Sequence, residues 1–327
     1  MREAAYKALG EKMIGQGDTV DQFEKKLTKL IKSRYLVSLN SGSSALELAY
    51  HLMDFKAGDE VISPVFTCTI TNLALLRHGV KIVFADIKED MMLDWDDVQR
   101  KITPKTKAVI NVHLFNKLNA TRDFGVPVIG DAAQFLGRTN GERFTAYSFQ
   151  ATKLITTVDG GALSCSLKGD YRRAKLLRWY GIDRETGKDN IDVDIKEAGF
   201  KYHMNNVTAA IGLAALPLLP KLKLKIKRLQ NSYFEGLEGI PGVQPIGGTP
   251  FLIHTKNRDK LRLRLADMGI DSGLIHRRND IYTVFGGKRQ DLPNMNRLEK
   301  NYLLLPCHYK MSLENIEFIC EAIKKSI

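Results

Sequence analysis

The sequence predicts an α/β protein: a large domain with a mainly parallel, mixed sheet between helices, followed by a smaller α+β domain. Two observations carry this reading. Short apolar runs alternate with stretches of helical period from residue 35 to about residue 166, as expected of parallel strands joined by helical crossovers. A long helical stretch then leads away from residue 205, and strands and helices restart beyond it, so residues 1–235 are expected to form the large domain and 236–327 the small one. A length of 327 residues suits two such units.

Taken in order, the first 35 residues, centred on TVDQFEKKLTKLIKS, have helical spacing. YLVSL, from Tyr35 to Leu39, is a strand; a small-residue turn and a helix from Ala45 follow. DEVISPVF and KIVFADI read as strands, with TNLALLRHG between them as a helix ending on Gly79. Residues 107–115 and 126–135 read as buried strands, and TAYSF and GALSCS as two more on either side of Lys153. NNVTAAIGLAALPLLPKLKLKIKRLQNSYFEGL is helical and bent near Pro217 and Pro220. The small domain has PFLIHT, DSGLIH and YLLLP as strands, RDKLRLRLADMG and SLENIEFICEAIKKS as helices.

Composition narrows the function. No apolar run approaches the roughly 20 residues of a membrane helix, and the N-terminal stretch lacks a secretion-signal core, so the cytoplasm is expected and no membrane partner. Cys68, Cys165, Cys307 and Cys320 are scattered without zinc-ligand spacing, hence reduced thiols and no metal. The net charge of +12 suits either phosphate-rich nucleic acid or a small anion steered into a cleft. In KLKLKIKR the lysines alternate with apolar residues, and no aromatic residues interleave with the basic ones as on a base-stacking platform. A solvated helix face is therefore expected, and no nucleic acid.

Three features fall at strand ends, where a ligand of an α/β sheet sits. In NSGSSAL, Gly42 permits close backbone approach, and Ser43 and Ser44 open a helix whose free N–H groups suit a phosphate, although serines also cap helices that bind nothing. Asp131 ends an apolar strand in VIGDAAQ, as a partnered functional carboxylate or as a helix cap. Lys153 follows in YSFQATKLITTVDGG. A phosphate cradle, a carboxylate and a lysine are what pyridoxal phosphate requires.

NSGSSALELA, GDAAQ, YSFQATKLITTVDGG and GFKYHMNNVTAAIGL, in this order, resemble the DegT/DnrJ/EryC1/StrS sugar aminotransferases, which have the aspartate aminotransferase fold (PLP fold type I). The resemblance implies that Lys153 is the Schiff-base lysine and the proton carrier of the reaction, and that Asp131 partners the pyridine nitrogen. By the same resemblance Gln134 lies near the cofactor ring, and Ser148 binds the phosphate with Gly42, Ser43 and Ser44. Cys68 falls where many members stack an aromatic residue on the ring. Lys201 and His203 match positions that close the phosphate site from a neighbouring subunit, which implies a homodimer with shared active sites. In IHRRNDIYTVF, His276 matches a histidine that members bring toward the partner's active site; Arg277 beside it suits a diphosphate or a donor carboxylate, or else an exposed turn.

The implied reaction moves an amino group from an amino acid, glutamate by expectation, to the keto group of a nucleotide-linked keto-deoxy sugar. A dehydratase of the same family is the alternative, disfavoured by Lys153 because those relatives carry histidine there; a non-catalytic regulator is another. Two segments, before Asp131 and before Ser148, are shorter than is usual in the family. Gln150 stands where relatives commonly have histidine, and Asp159 where they have glutamate.

Overall fold

In the computed structural model, residues 1–184 and 194–327 are described. The strands are β1 Tyr35–Leu39, β2 Glu60–Pro64, β3 Lys81–Ala85, β4 Thr106–Val112, β5 Val128–Ala132, β6 Phe144–Ser148, β7 Gly161–Cys165, β8 Val243–Gly247, β9 Phe251–Thr255 and β10 Tyr302–Leu305. The helices are α1 Arg2–Leu9, α2 Asp18–Ile31, α3 Gly42–Leu52, α4 Thr69–Leu76, α5 Trp95–Lys101, α6 Lys168–Leu177, α7 Asn206–Ala215, α8 Leu219–Leu237, α9 Arg258–Asp267, α10 Pro293–Leu298 and α11 Leu313–Ser326.

Seven strands form one sheet in the order β1-β7-β6-β5-β4-β2-β3. β2 to β6 run parallel, while β7 is antiparallel to both β6 and β1, so the sheet is mixed and mainly parallel as expected. Every residue of β2 and of β5 is buried, which is why these strands read as continuous apolar runs and not as alternating ones. A second sheet, β10-β9-β8, is antiparallel throughout. Its core includes Leu229, Tyr233, Phe251, Ile253, Leu303 and Ile316.

Amphipathic spacing puts Val20, Phe23, Leu27 and Ile31 of α2 on one buried face. Helix α2 is tied to β1 by charge: Glu24 Oε1 accepts from the Ser38 N–H and hydroxyl, each at 2.7 Å, and pairs with the buried Arg178. The bend near Pro217 and Pro220 is present: residues 216–218 form a 3₁₀ turn between α7 and α8.

Several expectations need correction. Helix α3 starts at Gly42, not Ala45, because Ser41 caps it, its side chain accepting from the Ser44 N–H at 3.0 Å. DSGLIH is not a strand: only Gly273 bridges Leu304, after which the chain leaves the small sheet for the large one. In its place β8 completes the sheet, hidden in the sequence because Pro245 and Gly247 look like turn residues; they sit at a register shift against β9. Separately, the helical stretch 206–237 holds an 18-residue window of mean hydropathy 1.5, the one stretch among the described residues that is long and apolar enough to cross a membrane by length and composition alone. In the fold α7 packs on α1 and α2, and α8 on α11 and β8.

Candidate active site

The cradle is built by sheet register. Leu39 and Ser148 both pair with Gly161, so the end of β1 and the end of β6 flank the start of β7. The turn into α3 then closes on Ser148: a Cβ on Gly42 would lie 2.7 Å from the Ser148 Cβ, and one on Gly161 would lie 2.2 Å from the Ser41 carbonyl oxygen. Only glycine fits at either position. Ser43 is exposed at the N-terminus of α3, where helix N–H groups face outward. Ser44 does not join them, contrary to expectation. Its hydroxyl donates to Asn40 Oδ1 at 2.7 Å and its N–H to Ser41, so it closes the turn from inside.

Asp131 lies on β5, next to β6, and is buried. Its Oδ2 accepts from the Thr71 hydroxyl at 2.7 Å and its Oδ1 from the Ala133 N–H at 3.0 Å. Thr71, in the first turn of α4, escaped sequence reasoning; a threonine four residues after another, Thr67, with which it shares a 3.1 Å contact, was the available signal. Cys68, the residue before α4, is exposed.

Lys153 sits on the loop between β6 and β7. The loop is pinned at its neck, where the Phe149 N–H donates to Gly160 and the Phe149 carbonyl accepts from the Thr157 N–H; the buried Phe149 ring meets Phe23 edge-on. The Lys153 N–H closes a turn onto the Gln150 carbonyl at 2.9 Å, and the Gln150 side chain is spent on Thr152. Asp159 is exposed on the same loop. Among the described residues Lys153 Nζ has neither a hydrogen bond nor an ion pair. It opens on a cavity of about 280 Å³ lined also by Ser148, Gln134, Asn116, Pro250 and Tyr309.

Gln134 is fixed by both ends of its amide. Oε1 accepts from the Phe115 N–H at 3.0 Å, which turns Nε2 toward His276 Nε2, 3.0 Å away. His276 therefore meets a residue of its own chain, Gln134, where the resemblance implied a position toward the partner's site. The reason is anchoring: the Asn279 N–H donates to the Val65 carbonyl, Arg278 bridges Phe66, and the His276 ring packs edge-on to Phe66. Burial, and the charge of Lys153 next, push the His276 pKa down to about 4, so the ring is neutral and accepts from the Gln134 amide. Arg277 is exposed and lines a different cavity.

Lys201 and His203 lie on a stretch that joins β1: the Asn40 N–H donates to the Tyr202 carbonyl and the Asn40 side chain to the Lys201 carbonyl. Lys201 is exposed. His203, expected at the partner's phosphate, is half-buried in its own chain. Its ring packs on Trp179, 3.6 Å between centroids, and burial with the charge of Lys201 pushes its pKa down to about 4.

A lysine without a partner among the described residues, a doubly held carboxylate and a glycine cradle beside the exposed Ser43 fit pyridoxal phosphate. Residues 1–324 match the model of the DegT/DnrJ/EryC1/StrS aminotransferase family. The chain belongs to that family. An uncharacterized protein of Methanocaldococcus jannaschii is 30% identical, covering 96% of this chain and 91% of its own length. The spore coat polysaccharide biosynthesis protein SpsC of Bacillus subtilis is 27% identical over 95% and 90% of the two chains. The crystal structure of the sugar aminotransferase CalS13 from Micromonospora echinospora superposes with a TM-score of 0.92 at 26% identity, covering 100% of this chain and 96% of that one. As in the DegT/DnrJ/EryC1/StrS family at large, the fold is PLP fold type I and the cofactor pyridoxal 5'-phosphate.

Proposed function

We propose that this sugar aminotransferase moves an amino group from glutamate to the keto group of a nucleotide-linked keto-deoxy sugar, with Lys153 as its proton carrier. The observation that carries the reading is the convergence of Gly42, Ser148, Asp131 and Lys153 along one edge of the sheet. The sugar aminotransferase CalS13 and the polysaccharide role of SpsC support a sugar acceptor.

Pyridoxal phosphate supplies, when bound, an aldehyde that takes up nitrogen and a ring that accepts electrons. Gly42 and Ser43 N–H groups and the Ser148 hydroxyl would hold its phosphate, and Asp131 its ring nitrogen. Asp131 is suited to this because the Thr71 hydroxyl and the Ala133 N–H fix its direction. Lys153 Nζ, which meets no carboxylate among the described residues, would be the group that moves the proton. Gln134, locked by Phe115 and His276, would keep the ring's flank in place.

The functional unit in this reading is a homodimer with shared sites, Lys201 reaching the partner's phosphate. Exposed apolar side chains at Tyr6, Leu9, Met13 and Ile14, beside α7, support a second copy as their cover. Four free thiols, three of them buried, suit the reducing cytoplasm.

The test is optical, then chemical. Purified protein is expected to carry an absorbance band of bound pyridoxal phosphate that converts to the pyridoxamine form with glutamate. Nucleotide keto-sugars are then screened for gain of an amino group by mass. Absence of cofactor would sink the reading; a bound cofactor unmoved by glutamate would reassign the donor or the reaction.

A further inference from the structure

Residues 274–278 run between two cavities. Ile275 lines the Lys153 cavity and His276 meets Gln134, whereas Leu274, Arg277 and Arg278 line a second cavity of about 300 Å³. Four arginines and a lysine converge on the second one: Arg258, Arg277, Arg278, Arg289 and Lys300.

Their charges are only partly met. Arg278 is held bidentately by the buried Asp280, at 2.7 and 2.6 Å. Glu299 pairs with Arg289 and lies 3.6 Å from Arg278, and Arg258 pairs with Asp259 at 2.8 Å. Arg277 and Lys300 meet no carboxylate among the described residues. Five cations thus face three carboxylates, and two positive charges remain at one concave opening. Like charges gathered there repel unless an anion joins them; a guanidinium fork takes two oxygens of one anion at once, and an anion of charge −2, as a phosphate group carries, meets both remaining charges.

We infer that this cavity is a binding site for a phosphate-bearing dianion, with Arg277 and Lys300 as its charge-bearing ligands, separate from the cofactor cradle. The wall it shares with the active site is the 274–278 segment itself. Tyr302, in the cavity lining, donates its hydroxyl to the carbonyls of Leu274 and His276, so an occupant presses on the stretch that presents His276 to Gln134. The same chemistry exists in the diphosphate of a nucleotide-linked ligand and in free phosphate or diphosphate. The inference does not depend on which sugar reacts.

The experiment uses protein loaded with pyridoxal phosphate, so that the cradle is filled. Pyrophosphate and, separately, UDP are titrated into it by calorimetry at constant ionic strength. One pyrophosphate per chain is expected, bound about a hundredfold more weakly by the Arg277→Ala/Lys300→Ala double variant. A Lys25→Ala/Lys26→Ala variant, exposed on α2 and losing the same charge, is expected to bind as wild type. Parallel loss of UDP binding in the cavity variant identifies the nucleotide diphosphate as the source; UDP binding unchanged while pyrophosphate binding is lost identifies free phosphate. The inference is overturned if wild type binds no pyrophosphate, if the cavity variant binds as wild type, or if both double variants lose affinity equally.

Discussion

Lys153 and Arg278 are both cations drawn inward from loops, and they are treated in opposite ways. Arg278 is 2% exposed and every edge of its guanidinium is occupied: Asp280 takes Nε and one Nη, Asn296 accepts at 2.6 Å and the Gln290 carbonyl at 2.9 Å. Lys153 is half-buried, and its amine has no partner among the described residues. A buried charge kept for architecture must be saturated, since desolvation is otherwise uncompensated; a group kept for proton transfer must stay uncommitted. The 274–278 segment joins the two, because His276 precedes Arg278 by two residues and faces the site.

The sharpest test of this contrast replaces each cation. Lys153→Ala is expected to lower amino transfer by about 10³-fold or more, at the upper end of proton-transfer contributions, while the thermal midpoint of the cofactor-free protein stays close to wild type. Steady-state rates and a melting curve read the two halves. A large loss of stability in that variant would mean that Lys153 is a structural cation after all.

Arg278→Ala should do the reverse. It strands Asp280, which has no exposed surface, and removing one member of such a buried pair costs about 3–5 kcal/mol. Urea unfolding measures the loss. Arg278→Lys is expected to recover only part of it, because an ammonium cannot make the fork to Asp280 and still reach Asn296 and Gln290.

A smaller effect tests the cradle. Gly42→Ala pushes a methyl to 2.7 Å from the Ser148 Cβ, and overpacking of this kind costs about 1–3 kcal/mol. Retention of pyridoxal phosphate during dialysis should weaken by about tenfold. Unchanged retention would show that the phosphate does not use this gap.

The smallest effect is pH dependence. Because the His276 pKa is lowered from 6.5 to about 4, the unfolded chain takes up a proton before the folded one does. Its contribution is present above about pH 6.5 and is lost as pH falls toward 4. His203, lowered to about 4 by burial, adds in the same direction. His276→Gln is therefore expected to flatten, without abolishing, the fall of the thermal midpoint between pH 6.5 and 4; an unchanged slope would mean that the His276 ring is not held neutral.

Much of the fold was legible in the sequence because it is local. Tyr35–Leu39 was read to the residue, since a short apolar run ended by NSGSS has few alternatives. Asp131, Lys153 and Gly42 were legible for a related reason: a carboxylate, a cation and a glycine each interrupt an otherwise ordinary pattern. Thr71 was not, because a threonine at the start of a helix looks the same whether or not a carboxylate waits 60 residues away. DSGLIH was misread as a strand because β propensity says nothing about whether a partner continues beside it, and only Gly273 found one.

By itself, then, the sequence determined the alternation of strands and helices, the bend at the paired prolines and the residue types available for chemistry, all set by local sterics and by the period of apolar side chains. Only the tertiary structure decided which of them meet. It turned Ser44 inward to a cap, laid His203 on Trp179, aimed His276 at Gln134 of its own chain and gathered arginines from 258, 277, 278 and 289 around one cavity. Those outcomes depend on register and long-range packing, where burial and competing partners decide whether a polar group is spent on the fold or left for a ligand.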